Sequence, residues 1–336
     1  MEEVLAAYVG RLAPSPTGAL HLGNVRTFMV AWLRARACGG RVILRTEDLD
    51  HPKDKPGAAA QAREDLRWLG FDWDAEYVQS ERRDLYRAAL DYLRAQGRAY
   101  PCVCSRRDVA AAQSAPHAGE QLFYHGTCRG RFATWAEACA VKPQPCWRFR
   151  VDDGETVAFD DVFAGPFSQD VARTLGDFPL ARDPGGAGYT LAVVVDDLLM
   201  GVTEVVRGDD LLPATPAQIL LARALAPWVA QRRGLSPSET RGLSPAYLHV
   251  PLVVGPDGRR LAKRHGDTRV AAYRERGLSP EEILGFLAAS CGWCAPGERV
   301  ALRELVGRFS LETLPREPLV VNEKCGIMAK KDSLRV

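Results

Sequence analysis

RLAPSPTGALHLGNVR, residues 11–26, places two prolines, small residues and a glycine between an apolar run and a histidine that opens a helix. Pro14 and Pro16 restrict the backbone, and Gly18 allows a conformation closed to other residues. The spacing predicts a tight turn from strand to helix, with His21 in the first helical turn. Unpaired N–H groups and the helix dipole attract phosphate there. His21 and Asn24 share a helix face and can both donate to phosphate oxygens, while Gly23 leaves room for a flat ring. An ordinary solvent-facing histidine at a helix N-terminus is the plainer reading of the same letters.

Working outward, strands and helices alternate. AYVGRLAP reads as a short strand ending at Pro14. Leu22, Val25, Phe28, Met29, Trp32 and Leu33 recur at helical spacing over residues 22–37, and CGG stops that helix. RVILRTEDLD reads as a buried parallel strand. Helices are predicted over 57–69 and 81–97, then a helix and the strand TEVVRG within 188–208, and a further helix over 214–225. Residues 227–247 read as a polar, proline-rich connection. At the third GLSP, Ser279 is placed as N-cap with Glu282 closing a capping box. The alternation predicts an α/β fold with a parallel sheet of the nucleotide-binding kind, its ligands at the carboxyl ends of the strands. Residues 100 to about 185 break the rhythm with spaced cysteines, prolines and the short β-like runs CWRFRV and TVAFDDVF, which predicts an inserted subdomain.

Composition sets outer bounds. The 336 residues carry 44 Lys and Arg against 42 Asp and Glu, a net charge of +2, so bulk charge does not mark a nucleic-acid binder. No apolar run approaches the roughly 20 residues needed to span a bilayer, and the short acidic N-terminus does not read as a secretory signal. Nine irregularly spaced cysteines predict a reducing cytoplasm, with some cysteines binding metal and others buried.

A second segment, GPDGRRLAKRHGD (255–267), is a glycine-rich turn leading to Arg260, Lys263 and Arg264. Such a loop can close on a pyrophosphate leaving group and stabilise its charge. In this order and separation, the two segments resemble class I aminoacyl-tRNA synthetases of the glutamyl type. APSPTGALHLGN resembles the family's HIGH signature, RLAKR its KMSKS signature, and RTEDLD the strand after the first helix. Ala262 stands where the second signature usually has serine. The resemblance runs from about residue 10 to 320. It implies a Rossmann-type catalytic domain in two halves (1–99 and 187–254), an inserted zinc-binding subdomain (100–186), and a KMSKS-like loop with a helical stem-contact region (255–325).

The resemblance further implies that L-glutamate and ATP, with Mg2+, form glutamyl-adenylate, and that the glutamyl group passes to tRNA. By position, Arg11, Ala13 and Ser15 line the amino-acid pocket, Glu47 holds the ammonium, and Tyr189 and Arg207 close the pocket. Arg207 is the two-pronged partner of the side-chain carboxylate, and a fixed guanidinium fork suits a planar carboxylate. The alternative for Arg207 is a pair with Asp209 or Asp210. His21, Gly23, Asn24 and Lys263 serve ATP, with His21, Asn24 and Lys263 in the catalytic role.

The chain ends soon after LVGRFSLETLPREPLVV, with no room for the family's helical anticodon-binding region, and Val193 stands where full-length members typically place an asparagine. Both features resemble the family's short branch, whose reaction glutamylates queuosine in the anticodon of tRNA(Asp). The implied partner is queuosine-bearing tRNA(Asp), and the expected protein is a cytoplasmic monomer. Two further readings stand beside this one: charging of a tRNA 3′ end without an anticodon domain, and a non-catalytic paralogue that binds nucleotide or RNA.

YPCVCSRRD and YHGTC supply Cys102, Cys104 and Cys128 beside Tyr124 and His125. Three thiolates form a credible zinc site. Chemistry alone selects His125 as fourth ligand, because imidazole needs no deprotonation, whereas the resemblance implies Tyr124. One structural zinc per chain is expected; three buried free cysteines are the alternative. CGWC at 291–294 ends an apolar helix and reads as structural, and Cys38, Cys139, Cys146 and Cys325 carry no assigned role. Arg106 with Arg107, Arg129 with Arg131, and Arg232 with Arg233 are candidate phosphate contacts.

Overall fold

A computed structural model describes residues 7–49, 55–112, 123–182, 186–241, 243–261 and 267–321. Ala262, Lys263, Arg264 and Cys325 lie outside the described residues. Strands β1 (Val9–Leu12), β2 (Arg41–Thr46) and β3 (Ala75–Val78) form a parallel ribbon in that order. Helices α1 (Leu22–Ala37) and α2 (Ala58–Trp68) carry its crossovers, and α3 (Arg83–Ala95) follows β3 after a short 3-10 turn.

An antiparallel segment comes next. It holds β4 (Ala99–Cys102), α4 (Arg106–Ala112), α5 (Trp135–Val141), β5 (Cys146–Phe149), β6 (Thr156–Asp161), β7 (Gly165–Asp170), α6 (Val171–Thr174) and β8 (Pro179–Ala181). β4, β5 and β8 make one sheet, with β5 central, and β6 and β7 a separate hairpin. The parallel pattern then resumes with α7 (Tyr189–Met200), β9 (Glu204–Gly208), α8 (Thr215–Arg233), α9 (Pro237–Arg241) and β10 (Ala246–Val250), with β9 and β10 paired in parallel.

β9 runs beside β1. The Thr203 amide donates to Val9 O at 2.9 Å, and the Arg11 guanidinium crosses to Val206 O at 2.8 Å. The strand order is therefore β3–β2–β1–β9–β10, and the winding direction reverses between β1 and β9. Open α/β sheets bind ligands in the crevice outside such a reversal. The chain continues through β11 (Val253–Val254), α10 (Val270–Glu275) and α11 (Pro280–Ala289), and β12 (Leu319–Val320) returns to pair with β11.

Packing follows the periodicity of α1. Leu22, Val25, Met29, Trp32 and Leu33 are buried, and the Trp32 indole donates to Asp72 O at 3.0 Å. Truncating such a tryptophan typically costs about 3–5 kcal/mol. Phe28, in the same apolar period, is half-buried: it packs against the edge of the core and also lines a cavity. Arg26 is buried on α1 and donates to Pro251 O at 2.7 Å, tying the helix to the exit of β10.

Two stretches differ from the sequence expectation. The helix expected over 214–225 runs on to Arg233 through Pro227. Proline removes an N–H and crowds the carbonyl of the preceding turn, at about 3 kcal/mol, but buried Leu225, Trp228 and Val229 flank it and offset that cost. The same stretch also holds α9 and the start of β10, a largely buried strand inside what reads as polar connection. The capping box at Ser279 and Glu282 is present.

Candidate active site

A cavity of about 550 Å³ opens at the carboxyl ends of β1, β2 and β9, over the reversal in winding. Arg11, Ala13, Ser15, Glu47, Tyr189 and Arg207 line one side, and His21, Gly23 and Asn24 line another. The turn between β1 and α1 hangs on the end of β2: Glu47 N donates to Pro14 O at 3.0 Å, and Lys55 N to Pro16 O at 2.9 Å.

His21 is the N-cap of α1 and not part of its first turn. Its Nδ1 accepts from Gly23 N at 3.1 Å, and Asn24 Oδ1 accepts from His21 N at 3.2 Å. Nδ1 is thus an acceptor, which leaves the proton on Nε2 for a ligand; Asn24 keeps its amide N–H groups. Burial, helped by the nearby Arg260 charge, pulls the His21 imidazole down to about 4, so the ring is neutral at pH 7. A Cβ on Gly23 would lie 2.9 Å from His21 Cε1, so this glycine makes room for the imidazole itself. Gly18 corrects the reading from sequence. It is absent from the left-handed glycines, and a Cβ there would meet nothing within 4 Å.

Arg207 is 5 % exposed, and all three of its nitrogens are occupied by neutral acceptors. Nε donates to His249 Nε2 at 3.0 Å, one terminal nitrogen to Gln218 Oε1 at 2.7 Å, and the other to Thr215 Oγ1 at 2.8 Å. The guanidinium lies over the Tyr247 ring, 5.4 Å from its centroid. Asp210, one alternative partner, is paired with Arg260 at 2.8 Å. Three bonds leave one N–H on each terminal nitrogen, the pair a carboxylate fork uses. Arg207 therefore brings a buried positive charge to the cavity wall without a carboxylate bound to it among the described residues.

Around it sits a balanced network. Arg45, fully buried, reaches Asp197 at 2.5 Å and Glu47 at 3.0 Å, and so fixes the Glu47 carboxylate at the end of β2. Burial pushes the Glu47 carboxyl up, with Arg45 pulling the other way. Arg11 lies 3.6 Å from Asp197 through a buried Nε that makes no hydrogen bond. Tyr189 opens α7 with 46 % of its surface exposed at the cavity mouth.

The cysteine cluster forms away from the cavity. The sulfurs of Cys102, Cys104 and Cys128 all lie within 4.8 Å of one another. Cys104 and Cys128 are 3.7 Å apart, and the Tyr124 hydroxyl sits 3.2 Å from the Cys102 sulfur and 3.8 Å from that of Cys104. Thiolates about 2.3 Å from a tetrahedral zinc stand about 3.8 Å from each other, so the donor set fits. His125 is exposed and packs edge-on against Phe123. Hydrogen bonds from Cys146 first, then Tyr124 and Arg148, bring the Cys102 thiol down to about 4. Burial and the Cys102 charge push Cys104 up to about 12, a repulsion that a dication would lift.

A family model described as tRNA synthetases class I (E and Q), catalytic domain, matches residues 8–324. The chain belongs to that family. It is a class I synthetase catalytic chain, a ligase of the aminoacyl-tRNA synthetase type. A protein named Glutamyl-Q tRNA(Asp) synthetase from Symbiobacterium thermophilum is 48 % identical, covering 92 % of this chain and 94 % of its own. One of the same name from Rhodopirellula baltica is 45 % identical over 95 % of this chain and 98 % of its own. The crystal structure of a glutamate tRNA ligase from Elizabethkingia meningosepticum, in complex with its amino acid, superposes with a TM-score of 0.75 at 27 % identity, covering 94 % of this chain and 67 % of that one.

Several residues of the synthetase site escape a linear reading. Asp197 lies within the apolar run YTLAVVVDDLLM, where a pair of acids in a buried helix signals partnered charge. Thr215, Gln218 and His249 converge on Arg207 from other elements, with Asp161 behind His249, and none carries a local signature. Among the arginine pairs, Arg129 is taken up by Asp177 at 2.6 Å and Arg233 by Leu198 O at 3.0 Å, so both hold the fold together. Arg106 and Arg107 are exposed. Among the described residues, no helix is long and apolar enough to cross a membrane.

Proposed function

We propose that this chain joins L-glutamate to ATP as glutamyl-adenylate and transfers the glutamyl group to queuosine in the anticodon of tRNA(Asp). The buried, carboxylate-free Arg207 beside the His21 cradle carries the first half of the reading. The names of relatives aligned along nearly the whole chain support the second.

In the first step, a substrate α-carboxylate oxygen attacks the α-phosphorus of ATP. The bond to the bridging oxygen breaks, and pyrophosphate leaves with the Mg2+ that accompanies ATP. No side chain acts as nucleophile; the protein positions and neutralises charge. Arg207 grips the side-chain carboxylate, Glu47 the ammonium, and Arg11, Ala13, Ser15 and Tyr189 frame the pocket. His21 donates Nε2–H and Asn24 its amide to phosphate oxygens, Gly23 keeps the His21 ring in place, and Lys263 completes the ATP site. Cys102, Cys104, Tyr124 and Cys128 would hold one zinc, which shapes the segment around them and takes no part in the chemistry. The enzyme is expected to act as a cytoplasmic monomer.

The test is glutamate transfer to tRNA(Asp) with and without queuosine. Transfer only to the modified tRNA supports the proposal. Transfer to unmodified tRNA(Glu) would instead assign the chain to 3′-end charging, the reaction suggested by the name of its structural neighbour.

A further inference from the structure

Arg207 owes its orientation to a chain of buried groups that crosses from one part of the molecule to another. An arginine Nε–H only donates, so His249 Nε2, 3.0 Å away, must accept. The imidazole proton then resides on Nδ1 and points to Asp161 Oδ2 at 2.6 Å. Asp161 is committed in turn. Its Oδ1 accepts from Phe163 N at 3.0 Å, Ala164 N at 2.7 Å and His249 N at 3.1 Å. Both side chains are fully buried. Asp161 belongs to the β6–β7 hairpin, which docks on β10 through Val162 N to Tyr247 O at 2.8 Å. The antiparallel segment thus reaches the cavity wall through one carboxylate.

We propose that Asp161 and His249 are positioning residues that fix the tautomer facing Arg207 and thereby set the preference for an acidic amino acid. The proposal rests on Arg207 as the carboxylate's partner. A proton on His249 Nε2 would oppose the Arg207 Nε–H, donor against donor, and a second proton on the ring would add cation against cation. The charged and titratable groups around His249 are Asp161 from the hairpin, Arg207 from β9, Arg11 from β1, Asp209 beyond β9, and Tyr247 on its own strand. Burial first, then Arg207 and Arg11, draw the imidazole below its ordinary range against the upward pull of Asp161. The shift favours the neutral ring.

D161N is nearly isosteric and separates this role from simple packing. With its oxygen kept on the three backbone N–H groups, the new amide turns its NH2 against His249 Nδ1–H, donor against donor, which drives the imidazole proton to Nε2. In glutamate-dependent ATP–pyrophosphate exchange, D161N and H249A should raise the KM for glutamate about tenfold or more while the KM for ATP stays within about twofold. H249Q should recover part of the loss in H249A, because its amide oxygen can accept from Nε. H249Q should also lack the acid-side rise in glutamate KM that protonation of the imidazole produces in the wild type. Nitrogen NMR of the wild-type ring, assigned with H249Q, should show the Nδ1–H tautomer at neutral pH. An Nε2–H tautomer, equal changes in both KM values, or no recovery in H249Q would overturn the proposal and leave glutamate activation standing. Exchange in the wild type that does not depend on glutamate would overturn both.

Discussion

Arg207 is a buried cation whose direct partners are an imidazole nitrogen, an amide oxygen and a hydroxyl. Neutral acceptors orient the fork without neutralising it, so the charge is left for a ligand. Arg207→Ala should cost about 2–5 kcal/mol in kcat/KM for glutamate, some thirtyfold or more, with ATP binding still measurable by equilibrium titration. Comparable loss of both would make the residue structural. On the phosphate side, Gly23→Ala drives a methyl against the His21 ring and should raise the KM for ATP several-fold with little change for glutamate. His21 also has a defined pH sign. Its folded value near 4 lies below the unfolded value near 6.5, so protons favour the unfolded chain. The stability it contributes is full above about pH 6.5 and is lost as pH falls towards 4. Arg207 was singled out in the sequence by the family resemblance, which carries its position; its partners were not, since they come from α8, β10 and β6.

At the scale of elements, boundaries marked by local chemistry were legible. The helix read from periodicity over 22–37 is α1, and the Ser279 capping box opens α11. Elements settled by tertiary burial were not: α8 outruns its proline, and β10 is a five-residue strand whose letters, AYLHV, carry no alternation. The cysteine cluster depends on such tertiary support. Tyr124 is held against Gly176, whose φ of +66° and whose position, with a Cβ only 2.2 Å from Tyr124 O, exclude a side chain. Protein purified without chelators should carry about one zinc per chain by elemental analysis. Gly176→Ala should lower that occupancy by displacing Tyr124 and its neighbours. Metal-free protein that is folded and active would remove the zinc from the account, and full occupancy in the variant would remove Tyr124's placement from it.

Across the whole molecule, the order β3–β2–β1–β9–β10 puts Arg11, Glu47 and Arg207 at three strand ends beside one reversal of winding, with the N-cap of α1 facing them. That convergence makes one cavity of residues drawn from positions 11 to 261. On the proposed function, the Arg207 charge should favour a substrate with a terminal carboxylate over one with a terminal amide, which cannot accept through two oxygens. The most direct measurement is ATP–pyrophosphate exchange in the absence of tRNA, with glutamate and glutamine compared as the amino acid. Exchange driven by glutamate and about a hundredfold or more weaker with glutamine is the predicted result. Equal exchange with both, or none with glutamate, would contradict the account.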